Sequence, residues 1–128
     1  MRLLLDTHAL IWWLAGDDAL NRKARDAIAD VANGVFVSAA SAMEVATKFR
    51  IGKLPGAALL AQDFEGIVAE QGFAELPITV HHARLAGEMA IAHKDPFDRL
   101  LIAQALAEDM VLVSNEALFD AAAVKRLW

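Results

Sequence analysis

Two acidic residues stand directly beyond short apolar runs: Asp6 after Leu3-Leu4-Leu5, and Glu116 after Val111-Leu112-Val113 with Ser114-Asn115 between. In open parallel sheets the working residues lie beyond the carboxyl ends of the strands. A carboxylate there offers a hard oxygen donor to a divalent cation, or a nucleophile for group transfer. The bland alternative, a solvated loop acid, fits Glu116 better than Asp6, whose three preceding leucines make a dry setting. Asp98 falls in the first turn of a helix opened by Asp95-Pro96, where an acid interacts favourably with the helix dipole. Leu101, Ile102 and Ala105 follow it at +3, +4 and +7, so Asp98 shares the face that packs on a sheet. Asp95 suits a plain N-cap. Glu44 is the least legible acid. Lys48 at i+4 makes it half of an exposed ion pair, Ser41 and Glu44 match a capping box, and the apolar stripe Ala42, Val45, Ala46, Phe49 lies on another face.

The elements that must position these acids alternate between strand and helix. Residues 2–6 read as a buried strand, and 8–15 and 19–32 as helices separated by Gly16-Asp17-Asp18. Asn33-Gly34 marks a turn before a strand at Val35-Phe36-Val37. A helix from about Ser38 to Ile51 ends at Gly52 and Pro55-Gly56, and residues 57–71 form one amphipathic helix closed by Gly72. Phe73 to Leu76 is a short strand stopped by Pro77, and Thr79 caps a helix reaching His93. The helix behind Asp95 runs to Asp109. Met110–Val113 is a strand, Asn115–Asp120 a short helix, and Val124–Leu127 a final strand. Such alternation predicts a parallel sheet covered by helices on both faces.

Composition narrows the function classes. The 128 residues predict a single domain, 1–128, with a folded surface of roughly 6,600 Å². With 57% apolar and 23% charged residues, the chain has the means to build a core. No cysteine is present, which excludes disulfides, a thiol nucleophile and Cys-ligated metal. The longest apolar stretch, Ala9–Ala15, is seven residues, too short for a membrane span, and Asp6 interrupts what a signal peptide would need. A cytoplasmic location is expected. The net charge of −5 opposes binding of nucleic acid through a broad basic face. If the chain handles a polyanion, a divalent cation is the natural offset.

At these residues the sequence resembles a PIN-domain ribonuclease, specifically the VapC-type toxin of a VapBC toxin–antitoxin pair. The matching pieces are Leu5-Asp6-Thr7-His8, Ser38 to Glu44, Asp95 to Ala105, and Leu112 to Glu116, in the family's order and over nearly the whole chain. The resemblance implies a three-layer α/β/α sandwich with a central parallel sheet. It places the family's acidic centre on Asp6, Glu44, Asp98 and Glu116, with Ser114 near the metal and Thr7 in support. Glu116 stands where Asp is commoner, and Ala121-Ala122-Ala123 replaces a stretch that often holds an aromatic and a glycine. A looser final turn is expected there.

Four carboxylates within about 5 Å of one another repel by roughly 3 kcal/mol per pair at an effective dielectric of 20. Such a cluster calls for a cation, and oxygen ligands suit Mg²⁺ or Mn²⁺. On this resemblance Asp6 and Asp98 are primary ligands, Glu116 completes the shell directly or through water, and Glu44 orients water or a second ion. The implied activity is metal-dependent endoribonucleolysis by an activated water. The implied partners are RNA, a cognate VapB-like antitoxin whose tail inserts a basic side chain, and a second copy of the chain.

Other groups are weighed beside these. Lys48, Arg50 and Lys53 form a basic cluster that could guide RNA, as could Arg99; a solvated helix face and a structural ion pair are the competing readings. Arg22, Lys23 and Arg25 could likewise guide RNA, although a solvated face suits them better. His8, His81, His82 and His93 show no metal spacing and read as surface or packed residues. Trp12 and Trp13 point about 100° apart on a helix, so one could face a partner. Two rival functions remain. One is a non-catalytic module on the same fold whose acids bind a basic segment. The other is phosphotransfer through Asp6, disfavoured because Asp6-Thr7-His8 lacks the second Asp of haloacid-dehalogenase-type phosphatases.

Overall fold

The apolar runs do form the sheet. In the computed structural model, which describes all residues from Met1 to Trp128, five strands run parallel: β1 (Arg2–Leu5), β2 (Gly34–Ser38), β3 (Ala74–Leu76), β4 (Val111–Val113) and β5 (Arg126–Leu127). Their spatial order is β3-β2-β1-β4-β5. The chain therefore builds outward from β1 on one side, then returns to add β4 and β5 on the other. Between β1 and β4 the winding reverses, and the carboxyl ends of those strands frame a crevice.

Side chains alternate across the pleat. Leu3, Leu5, Val35, Val37 and Val113 face one apolar layer, joined by residues of α1 (Thr7–Ala15), α2 (Arg22–Ala29), α3 (Ala39–Arg50), α4 (Ala58–Gln62) and α5 (Phe64–Glu70). Leu4 and Leu112 face the other, against Leu101, Ile102 and Ala105 of α7 (Pro96–Ala107), with α6 (Val80–Glu88) packed on α7. Burial on both faces explains why the strands read as unbroken apolar runs. The accessible surface of 6857 Å² is close to the value expected from size.

Several elements differ from the sequence reading: the helix expected at 19–32 shortens to α2, Arg22–Ala29, and the short helix expected at Asn115–Asp120 is a 3₁₀ turn at Ala117–Ala122. Residues 57–71 are not one helix. A 3₁₀ turn at Pro55–Ala57 precedes α4, and Asp63 ends α4 and caps α5, its carboxylate accepting the N–H of Gly66 at 3.3 Å. The helix capped by Thr79 stops at Glu88 rather than His93, and residues 89–95 take an irregular path to α7. The final turn is pinned rather than loose. Arg126 forms a two-pronged pair with Asp120 at 2.8 and 3.0 Å, and Ala123 takes the left-handed conformation where glycine is common.

Candidate active site

Asp6, Asp98 and Glu116 are each placed by the start of an element. Asp6 follows β1 and is the N-cap of α1: its Oδ1 accepts the Ala9 N–H at 2.7 Å, while its own N–H donates to the Val113 carbonyl at 3.0 Å. It is thus tied to the ends of both central strands. Asp98 sits in the first turn of α7, beneath the cap provided by Asp95, whose Oδ1 accepts the N–H groups of Phe97 and Asp98 at 2.9 and 3.2 Å. Glu116 opens a 3₁₀ turn, Ala117–Ala122, and accepts the Leu118 N–H at 3.1 Å. Buried Ser114 accepts the Glu116 N–H at 3.0 Å.

Glu44 arrives from α3 and is buried, at 5% exposure. Its Oε1 accepts from the Thr7 hydroxyl at 2.6 Å, and its Oε2 pairs with Lys48 Nζ at 2.5 Å. The ion pair with Lys48 is as spacing predicts, but it is turned inward rather than exposed. Ser41 and Glu44 make no capping box, because the cap is Ser38, whose hydroxyl accepts the Ala40 N–H. Ser41 instead lies 2.9 Å from the Thr7 hydroxyl.

Asp6, Glu44, Asp98 and Glu116 all line one cavity of about 120 Å³, together with Thr7, His8, Lys48, Asp95, Asn115 and Phe119. Burial pushes the Asp6 carboxyl above its usual value. The Ser114 hydroxyl, the Ala9 N–H and His8 pull the other way, and Asp98 adds to the rise. Asp98 is raised as well, first by burial and then by Asp95 and Glu44, against the bond from His93. Glu44 holds the Lys48 ammonium above its ordinary value, so Lys48 stays charged.

The donor set is oxygen only, the chemistry that suits Mg²⁺ or Mn²⁺. No group of three or more His, Asp or Glu side chains is spaced to enclose a metal ion. An all-protein cage is therefore absent, whereas Mg²⁺ commonly takes one or two carboxylates and keeps several waters. The residues fit a cation held in that way.

The basic candidates separate. Lys48 lines the cavity, while Arg50 and Lys53 are exposed beyond it at the end of α3. Arg99 corrects the expectation of a phosphate contact: all its donors go to backbone carbonyls of residues 86–93. His93, read from sequence as a bystander, reaches Asp98 Oδ2 at 2.7 Å. Its separation of five residues matches no helical neighbour spacing, so nothing in the sequence announces the contact. Ser41 was findable, being one helical turn from Glu44. Trp13 donates to Gln71 at 3.0 Å, and Trp12 packs toward Trp128 with ring centres 5.9 Å apart, so both rings have partners within the chain. No helix is long and apolar enough to cross a membrane.

Comparison with solved structures gives the same architecture over almost the full chain. VapBC2 from Rickettsia felis, bound to a DNA fragment from its promoter, superposes with a TM-score of 0.72 at 15% identity, covering 98% of this chain and 97% of that one. The Mycobacterium tuberculosis toxin VapC20, described as cleaving the sarcin–ricin loop, gives 0.68 at 17%, covering 95% of each. A toxin–antitoxin complex from Klebsiella pneumoniae gives 0.60 at 22%, covering 89% and 86%. At these identities the likeness speaks for the fold. No curated protein matches by sequence. The profile of the PIN domain does match, from residue 3 to residue 125, and a match that leaves only the two ends outside it makes this chain a member of the PIN-domain family.

Proposed function

We propose that this chain is a metal-dependent endoribonuclease of the VapC toxin type, neutralised by a cognate antitoxin and acting as a homodimer. One observation carries the reading: Asp6, Glu44, Asp98 and Glu116, from four separate elements, line a single small cavity together with Asp95 where the sheet reverses its winding. Membership of the PIN family and the likeness to toxin structures support it.

When bound, Mg²⁺ or Mn²⁺ supplies charge stabilisation at the scissile phosphate and a water of lowered pKa. Asp6 and Asp98 would hold the cation. Both are raised first by burial, Asp6 further by Asp98, and Asp98 further by Asp95 and Glu44, so gaining a positive charge relieves a cost already present in the fold. Glu116 would complete the shell, directly or through water, from its place at the start of the 3₁₀ turn. Glu44, fixed at the cavity wall by Thr7 and Lys48, would orient the attacking water. The buried Ser114 hydroxyl favours the charged form of the Asp6 carboxylate. Lys48 supplies positive charge at the cavity wall and, with Arg50 at the end of α3 and Lys53 in the turn after it, guides the RNA backbone despite the net charge of −5.

The test is cleavage of structured RNA by the purified chain with Mg²⁺, with Mn²⁺ and with EDTA. Metal-dependent cleavage that Asp6→Asn reduces by at least about 10²-fold is expected. Undiminished cleavage in EDTA or by Asp6→Asn sinks the proposal. A second reading, a non-catalytic module that binds a basic segment, is favoured by Lys48, which already shows the cavity accepting an ammonium. It predicts no cleavage with any divalent cation and saturable binding of an arginine-containing peptide.

A further inference from the structure

The segment from Met89 to Asp95 has neither helix nor strand, and Ala90–Lys94 make no backbone–backbone hydrogen bond. Its path is set by one side chain. Arg99 Nε donates to the Ala86 carbonyl at 2.8 Å. Nη1 donates to Ile91 and His93 at 3.2 and 2.7 Å, and Nη2 to Met89 and Gly87 at 2.7 and 3.5 Å. A guanidinium has five N–H donors, and all are used. Two of the carbonyls belong to the last turn of α6, where helical partners are lacking.

The segment ends its irregular course at His93, which is gripped from two sides. Arg99 holds its carbonyl, and Asp98 Oδ2 meets its ring Nε2 at 2.7 Å. Consecutive residues of a helix point about 100° apart, so Asp98 and Arg99 can reach the two sides of one residue. The edge of Phe119, at 5.6 Å between ring centres and 67°, restricts the ring further. Phe119 also lines the acidic cavity.

We propose that Arg99 and His93 are positioning residues of the acidic site: Arg99 shapes the 89–95 segment so that His93 fixes the orientation of the Asp98 carboxylate. The proposal rests on the reading of Asp98 as a cation ligand and adds the residues that hold it in place. Lysine cannot replace Arg99, because an ammonium has three donors around a point charge and cannot span five carbonyls. Groups that orient a ligating side chain typically govern affinity by about 10–100-fold.

The experiment uses the full chain and its Arg99→Lys, His93→Ala and His93→Gln variants, stripped of metal. Mn²⁺ affinity is measured by electron paramagnetic resonance, ring hydrogen bonding of His93 by ¹⁵N–¹H nuclear magnetic resonance, and stability by thermal melting. Arg99→Lys and His93→Ala should weaken Mn²⁺ binding about 10–100-fold, and His93→Gln should recover part of it, since its amide can still donate to Asp98. Arg99→Lys should also lose the hydrogen-bonded Nε2 signature of His93. Wild-type Mn²⁺ affinity in Arg99→Lys and His93→Ala, with only the melting temperature changed, overturns the proposal and leaves Arg99 a brace for the loop. Should Arg99→Lys fail to fold, the two His93 variants decide by the same criterion. Absence of Mn²⁺ binding by the wild-type chain would sink the cation-site reading instead. The His93 resonance then judges the positioning alone: its persistence in Arg99→Lys overturns it.

Discussion

The Thr7 hydroxyl and the Glu44 carboxylate, 37 residues apart in sequence, meet at 2.6 Å with both side chains buried. This bond joins the first turn of α1 to the middle of α3 and turns Glu44 toward the cavity. A hydroxyl has one proton, so donation to the carboxylate leaves Thr7 able to accept from Ser41, 2.9 Å away.

Thr7→Val keeps the shape and removes the donor. A buried carboxylate oxygen left without its partner costs about 1–3 kcal/mol. Urea unfolding should show a lower midpoint at unchanged slope for Thr7→Val, and near wild-type behaviour for Thr7→Ser. Equal stability of all three proteins would show that the bond contributes nothing.

Lys48 is the only cation on Glu44, and the pair is half sheltered, with side-chain exposures of 32% and 7%. Lys48→Met should destabilise the chain by about 1–2 kcal/mol, discounted for partial solvation. The double variant Lys48→Met/Glu44→Gln should regain most of that loss, because no unpaired charge remains. A double-mutant cycle in thermal unfolding checks the coupling, and additive effects would rule it out.

Asp98 is held above the usual carboxylate range by burial and by Asp95 and Glu44. Its ionised form is thus less welcome in the fold than in the unfolded chain. In EDTA, Asp98→Asn should melt higher, by about 0.5 kcal/mol after screening by water. In excess Mg²⁺ the order should reverse, since the wild-type chain gains binding free energy that the variant largely lacks. The same ranking in both buffers would remove Asp98 from the cation site.

Asp6 gives a pH dependence of definite sign. Its folded value lies above 3.8, so the folded state binds the proton more tightly than the unfolded state. The destabilisation from its charge is fully present above the folded value. It fades as pH falls through that value and is gone near 3.8. Asn can still cap α1 through its side-chain oxygen. Asp6→Asn should therefore be more stable than wild type near neutral pH in EDTA, with a gap that narrows on acidification toward pH 4. Denaturant titrations across that range test it, and a constant gap contradicts the assignment.

Much of the architecture was legible because short unbroken apolar runs and the start and stop signals of helices are local properties. Leu3-Leu4-Leu5 and Val111-Leu112-Val113 announce strands buried on both faces, and Asp95-Pro96 announces the start of α7. Asp6 and Glu116 were visible because strand ends are the places where parallel sheets expose chemistry. Glu44 was visible only through family likeness. Its own helix gives it an ion-pair partner that looks like a surface feature, and only the approach of Thr7 from α1 turns that pair inward. Asp63 shows the same limit: the apolar pattern of 57–71 continues through it, but its carboxylate is captured by a new helix start. Arg99 and His93 depend wholly on tertiary structure. A guanidinium can pair with an acid, a phosphate or carbonyls, and the choice is made by which acceptors the packing of α6 on α7 leaves unsatisfied.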